Sequence, residues 1–336
     1  MGNKAKYHHL IPQTYMSAWA NASGTLKYKN LVTGEFDTKN KDNLCGINHY
    51  HSIVAGMPIC TADDADNIFS IMKDYKVVYE GKEVTSNLEL NQIYYDFGSW
   101  EITRKSDGTI ASKKPIKAAI DQVKIRDIEE NWSVKYENKW TNVRNTIENN
   151  VLTVSGEIPE FDKEFLMKFF ISIDWRSIAS EPLFTDQFQW LGVEVLSMDE
   201  VEIPEEEREL PFFETMADYF KHCLLLKFYR RFLNDDGPIY EHVQQSLQHT
   251  SFHFLIADGV TKYVTSDNPS FVHLREDGSK VGIMPIAPRI LLVQGKKSDT
   301  DPVYYVTHIT DEAGQKYNKI IEDNAEQYVI YDNTGN

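Results

Sequence analysis

Cysteine is scarce. Cys45, Cys60 and Cys223 are the three in 336 residues, and no CxxC pair occurs. An odd, sparse set excludes a disulfide-stapled scaffold. Cys45 and Cys60 are the one conceivable pair, but free thiols in a reducing cytoplasm are the expected state. Long apolar runs are missing too. "FLMKFFISI" and "CLLLKFY" are too short and too interrupted to span a bilayer. The opening "MGNKAKYHH" shows no apolar signal segment, and the Gly2 context lacks the Ser or Thr that myristoylation needs. Basic residues are outnumbered, 35 Lys and Arg against 51 Asp and Glu, for a net charge of -16. Such a chain does not coat DNA nonspecifically, although a local basic groove would still suit a nuclease. The acid collects in stretches such as "MDEVEIPEEERELP", which reads as a solvated loop. No internal repeat and no low-complexity tract is visible. These absences lead to the expectation of a soluble, cytoplasmic, bacterial protein with no membrane partner.

What remains is an ordinary folded composition. Hydrophobic residues at 41% and charged residues at 26% argue against disorder. Aromatic residues at 12% supply rings for a well-packed interior or a stacking surface.

Residues 25–36, "TLKYKNLVTGEF", alternate around a TG turn and predict a β-hairpin. "TADDADNIFSIMKDY" opens with capping residues before an apolar periodic run, so it predicts a helix. "NQIYYDFGSWEITRKSDGTIAS" reads as strands broken at Gly98 and at SDG. From Pro115 the apolar spacing becomes three, four and five, through Trp132, Tyr136, Trp140 and Ile147. That fits one long helix or two broken pieces. "DKEFLMKFFISIDWRSIASEP" predicts a helix ended by Pro182, and "LPFFETMADYFKHCLLLKFYRRFLNDDG" another ended at NDDG. After about residue 250 short β-branched and aromatic runs predict strands, followed by a closing helix and a last strand, "YVIYD". The expected fold is α+β, with strand-rich N- and C-terminal parts around a central helical bundle. It is read as one elaborate domain: residues 1–57 with the N-terminal motif and hairpin, 58–249 mostly helical with a short strand insertion, and 250–336 strand-rich. The two strand-rich ends are able to join in one sheet.

Three stretches carry candidate chemistry. The first is "HHLIPQTYMSAWA". Pro12 suits a helix start, which places His8 and His9 before the helix and Gln13, Tyr15, Met16 and Trp19 on it. A histidine beside a helix N-terminus is placed to act as a general base on an anionic substrate. The plainer alternative packs one histidine against Tyr15 or Trp19 and leaves the other solvated. The opening, taken with "DNLCGINHYH", also resembles HNH-type nucleases, which join a histidine-tipped strand to a metal-holding helix. That resemblance implies a base for water and a metal at the leaving oxygen. It departs from the pattern in its longer intervening hairpin and its missing CxxC pairs. The alternative is that Asn48 and His51 shape a turn.

The second stretch is "YVTSDNPSFV", where Ser266, Asp267, Asn268 and Pro269 follow a strand. This is turn chemistry, and it is also a usual place for ligand groups. The third is "FFISIDWRSIASEP". A buried Arg176 requires a partner, which is Asp174, Glu137 or Asp267, or else an anionic ligand. Basic patches at "KFYRRF" and "SKKPIKAAIDQVKIR" suit single-stranded nucleic acid or, more plainly, a helix face.

Together the HHLIPQTY opening, the "GTLKYKNLVTGEF" hairpin, "YENKWTNVRNTI", "FLMKFFISIDWRS" and "YVTSDNPSFV" followed by "IMPIAPRILLV" resemble a bacterial family catalogued as a domain of unknown function. Met16 and Ala18–Trp19 depart from that family's usual residues, and the acidic stretch near 198–211 has no counterpart in it. The resemblance implies a fold and an association with bacterial genome defence, but no activity.

The expected function is phosphodiester cleavage by a nuclease or toxin-like effector in anti-phage defence. The expected catalytic residues are His8, His9, Gln13 and Asp267. Tyr15, Arg176 and Asn268 are expected to bind substrate, and Glu137 and Asp267 to hold a metal, Mg²⁺ by the hardness of carboxylate ligands. The alternatives are a non-catalytic module that binds a nucleotide, a peptide or a phage protein, and a structural subunit of an assembly. A nucleic acid, a nucleotide or a protein is the expected partner.

Overall fold

The computed structural model describes residues 6–177, 197–205, 208, 210, 212–297 and 302–335. In chain order it begins with β1 (Tyr7–His9), α1 (Gln13–Met16), β2 (Thr25–Asn30), β3 (Phe36–Asn40) and β4 (Gly46–Asn48). Then come α2 (Ala62–Ile68), β5 (Tyr75–Tyr79), β6 (Lys82–Val84), α3 (Asn87–Gln92) and β7 (Glu101–Arg104). The helical middle holds α4 (Lys113–Asp121), α5 (Asp127–Trp132), α6 (Asn138–Val151), β8 (Gly156–Pro159), α7 (Lys163–Arg176), α8 (Met216–Leu233) and α9 (Gly237–His249). The last part runs through β9 (Thr250–Ala257), β10 (Thr265–Ser266), β11 (Phe271–Leu274), β12 (Lys280–Ala287), β13 (Ile290–Lys296) and β14 (Val303–Ile309). It ends with α10 (Asp311–Asp323) and β15 (Tyr328–Tyr331). The fold is α+β, with strands toward both ends and helices between. Among the described residues no helix is long and apolar enough to cross a membrane.

The chain divides into two compact units. One comprises Met1–Asn48, Trp132–Asp186 and Arg231–Asn336, the other His49–Asn131 and Gln187–Arg230.

In the first unit β1 pairs antiparallel with β4, His8 facing Ile47 and His9 facing Gly46. A four-stranded sheet runs in the order β10-β15-β2-β3, so strands from both chain ends do join in one sheet. A six-stranded sheet runs β11-β12-β13-β9-β14-β8, antiparallel except where β14 lies parallel to β9. The runs after residue 250 are strands because their β-branched and aromatic side chains are buried on the pleat. Leu255, Ile283, Leu291 and Val293 form one core there, with Tyr263 and Ile321.

In the second unit Thr61 and Asp64 form a reciprocal capping box at α2. The core gathers Phe69, Tyr94, Phe97, Trp100, Ile116 and Ile120. A three-stranded sheet runs β6-β5-β7.

The structure corrects two expectations and decides between the alternatives of a third. Gln92–Ser99 is not strand. Ser86 caps α3, a 3₁₀ segment Tyr94–Ser99 follows, and strand begins at Glu101. The spacing of three among Tyr94, Phe97 and Trp100 is the 3₁₀ period, and it buries all three rings. The stretch after Pro115 takes the two-piece alternative of that reading. α4 stops at Asp121, and α5 runs through a π-helical turn, Ser133–Glu137, into α6. The HNH-like helix is absent: Lys41–Asn43 is a 3₁₀ turn, Gly46–Asn48 is strand, and His49 turns with φ 60°. The predicted stop at Pro182 and Glu206, Glu207, Glu209 and Pro211 of the acidic stretch lie outside the described residues. All three cysteines are free.

Candidate functional site

The HHLIPQTY motif folds inward. His8 is 1% exposed and His9 9% exposed, both on β1. The Nε2 of His9 lies 3.2 Å from the Asp42 carbonyl, to which only an N–H can donate. The Gln13 amide lies 3.1 Å from the same nitrogen. Tyr15 is fully buried, its hydroxyl donating to the Pro285 carbonyl at 2.6 Å and meeting the Thr265 hydroxyl at 2.9 Å. Burial pushes its phenol pKa up. α1 is four residues long. One turn lacks the aligned dipole that the predicted anion site at its start requires.

Arg176 ends α7 and is fully buried. Its Nη1 donates to Glu137 Oε1 at 2.8 Å, its Nη2 donates to the His9 carbonyl, and its guanidinium lies 4.4 Å from the centroid of the Trp132 ring. Of the three partners that the sequence allowed, Glu137 is the one that closes the ion pair. The π-helical turn ending at Glu137 adds a residue to the helix and re-aims the side chains that follow it. His9, Gln13, Glu137 and Arg176 therefore do converge, around the C-terminal end of α7.

Asp267 and Asn268 are placed differently. Asp267 Oδ1 accepts from Glu326 N–H at 3.0 Å and Oδ2 from Gln327 N–H at 2.7 Å, so both oxygens hold the approach to β15. Burial pushes its carboxyl pKa up, and those backbone N–H groups offset part of the rise. Its own carbonyl accepts from Ser177 Oγ at 3.3 Å. Asn268 donates from its amide to the Asn324 carbonyl at 2.9 Å. The SDNP stretch thus uses its polar side chains on backbone.

The first unit also contains an open cavity of about 370 Å³ where the chain ends meet. Its walls come from Ser17 and Ala18 after α1, from Arg144 and Glu148 on α6, and from the hairpin turn around Pro288 and Arg289. Lys262, Asp332 and Thr334 complete the polar lining. His8, His9, Gln13, Tyr15, Glu137, Arg176, Asp267 and Asn268 do not line it, although Ser17 and Ala18 come from the same opening stretch. Arg144 is 14% exposed at its side chain; its Nη1 donates to Ser17 Oγ at 3.2 Å, while its Nε is buried without a hydrogen bond, 3.6 Å from Glu148. Ser17 Oγ in turn donates to the Thr14 carbonyl at 2.6 Å, which fixes the hydroxyl as an acceptor for Arg144. Arg289 donates to the Ala257 carbonyl and to Asp258. The Lys262 ammonium makes no hydrogen bond or ion pair among the described residues.

Sequence reasoning missed these cations because Arg144, Lys262 and Arg289 stand alone in ordinary contexts, far apart in the chain. The available signal was the place of Arg289 beside Pro288, between two strongly apolar strand runs. No curated protein and no solved structure matches the chain. The profile of the DUF4238 family, described as a protein of unknown function, matches residues 7–335, and the chain belongs to that family.

Proposed function

We propose that this chain recognises an anionic small molecule in the cavity of its first unit. The observation that carries the reading is the convergence of Arg144, Lys262 and Arg289 on one concave space in a chain of net charge -16. Arg289 is paired with Asp258 and Arg144 lies 3.6 Å from Glu148, so the attraction for an anion comes from the Lys262 ammonium and from the arginine N–H donors that these carboxylates leave unused. Arginine supplies paired N–H donors that match phosphate or carboxylate, and Arg144 retains donors that Ser17 does not take. The size lies at the lower end of small-molecule sites.

The test is a thermal-shift and calorimetric titration of the full chain with inorganic phosphate, citrate and AMP. Binding raises the melting temperature, by an amount equivalent to about 2.7 kcal/mol at a hundredfold excess over Kd. Arg144→Gln and Arg289→Gln are expected to remove that stabilisation at an unchanged melting temperature of the free protein. No stabilisation by any of the three anions, or an equal response in both variants, would overturn the reading.

Phosphodiester cleavage by a nuclease-like defence effector ranks second. Its support is the convergence of His9, Gln13, Glu137 and Arg176. Against it stand the full burial of Arg176, the pairing of Glu137 with Arg176 rather than with a metal such as Mg²⁺, and the two backbone bonds held by Asp267. This reading predicts metal-dependent cutting of RNA or DNA that vanishes in His9→Ala at unchanged folding.

A further inference from the structure

Resting on the anion-binding reading, we infer that the ligand is a phosphomonoester carried on a polyhydroxylated carbon chain, a sugar phosphate in chemical class. Two features of the same cavity lead there. The first is that carboxylates stand among the cations. Glu148 has Arg144 Nε at 3.6 Å, and Asp332 uses Oδ1 on the Thr334 N–H and hydroxyl. Among the described residues Asp332 Oδ2 accepts no hydrogen bond, and the Glu148 carboxylate has the Arg144 guanidinium beside it but accepts no hydrogen bond. A bare polyanion is repelled by them, whereas hydroxyl groups donate to them in strong charge-assisted bonds. The second feature is that no aromatic residue lines the cavity. A nucleobase held without a stacking ring forgoes the largest sequence-independent contribution to its binding. Ala18, Leu152, Ala287 and Ile290 supply apolar wall instead, suited to a carbon backbone.

Phosphate then sits toward Arg144, Lys262 and Arg289, and the hydroxyls toward Glu148 and Asp332. The same chemistry is presented by a free sugar phosphate and by the 5′ end of a nucleotide or nucleic acid.

The experiment is calorimetric titration of the full chain with inorganic phosphate, ribose 5-phosphate, AMP and a 5′-phosphorylated oligonucleotide. Ribose 5-phosphate is expected to bind about tenfold more tightly than inorganic phosphate, the worth of one or two hydroxyl–carboxylate bonds. Glu148→Ala is expected to weaken ribose 5-phosphate and at the same time strengthen inorganic phosphate. A merely structural role for Glu148 would move both the same way. AMP and the oligonucleotide binding as tightly as ribose 5-phosphate assign the source to a 5′ end; weaker binding assigns it to the free sugar. Equal affinities for phosphate and ribose 5-phosphate sink the sugar-phosphate class and leave anion binding intact. AMP binding more than tenfold above ribose 5-phosphate also sinks it, because the base would then supply the energy. Silence from every probe removes the anion-binding reading itself.

Discussion

The Tyr15 hydroxyl donates to the carbonyl of Pro285, 270 residues further along the chain, at 2.6 Å. One end of the HHLIPQTY stretch is thereby fixed to the inner strands of the six-stranded sheet. The same hydroxyl meets Thr265 just before the SDNP turn, so one buried oxygen ties three distant segments together.

Tyr15→Phe keeps the ring and removes that oxygen. The Pro285 carbonyl and the Thr265 hydroxyl are then buried without this partner. The expected loss is roughly 1–3 kcal/mol, read as a lower urea midpoint at unchanged slope. A midpoint equal to wild type would mean that water replaces the hydroxyl.

Removing one member of the Arg176–Glu137 pair breaks the ion pair that the buried guanidinium makes at 2.8 Å. Arg176→Met and Glu137→Leu are each expected to cost about 3–5 kcal/mol, whereas the double variant should recover much of that loss. Stability that is additive across the cycle would show that the ion pair is not the source. Arg176→Lys should behave like a partial deletion, since lysine cannot serve Glu137 and the His9 carbonyl in one fork and lie flat on Trp132.

Two groups set opposite pH dependences. Burial raises the Asp174 carboxyl to about 7. Between the unfolded value near 4 and that folded value the native chain holds a proton that the unfolded chain has lost. Stability from this group is therefore full at low pH and falls as pH rises toward 7. Asp174→Asn should remove the fall, which is at most about 4 kcal/mol and is reduced by the partial exposure of the residue. In the second unit, burial and then the His51 charge hold His222 down at about 3, its Nε2–H bonded to the Tyr50 carbonyl at 2.8 Å. The unfolded chain takes up a proton below about 6.5 that the native chain refuses, so this contribution is lost as pH falls through that window. His222→Gln should flatten the acid limb of a melting-temperature profile. Parallel profiles for wild type and variant would contradict the assignment.

Gly46 leaves no room for a side chain. A Cβ there would lie 2.5 Å from the Tyr7 ring and 2.7 Å from the His8 carbonyl. Gly46→Ala must therefore push β4 off β1, with an expected cost of about 1–3 kcal/mol. The change should be visible as faster amide exchange at His8 and His9. Protection equal to wild type would show that the strands accommodate a methyl group.

Legibility in the sequence followed the range of the forces involved. The strands after residue 250 and the capping box at Thr61–Asp64 are written in neighbouring residues, and both were readable. The 3₁₀ run Tyr94–Ser99 was not, because its spacing of three carries aromatic residues that also favour strands. The importance of Arg176 was legible from the cost of burying a charge, but its partner required the fold to bring Glu137 within reach. His9, Gln13, Arg176 and Asp267 were singled out as catalytic or substrate-binding groups. Their contacts, however, are mostly with backbone and with each other. The cavity cations were invisible, since nothing local distinguishes Arg144 in "TNVRNTI" from any surface arginine on a helix.

The order β10-β15-β2-β3 also has a consequence for synthesis. β15 inserts between β2 and β10, so the β2–β3 hairpin waits for Tyr328–Tyr331 to be translated before its sheet closes. At 5–20 residues per second that delay is roughly 15–60 s. During it the β2–β3 hairpin has an open side, a template for the wrong neighbour. Exposure of that open side during translation, and intolerance of any truncation that removes β15, follow from the strand order.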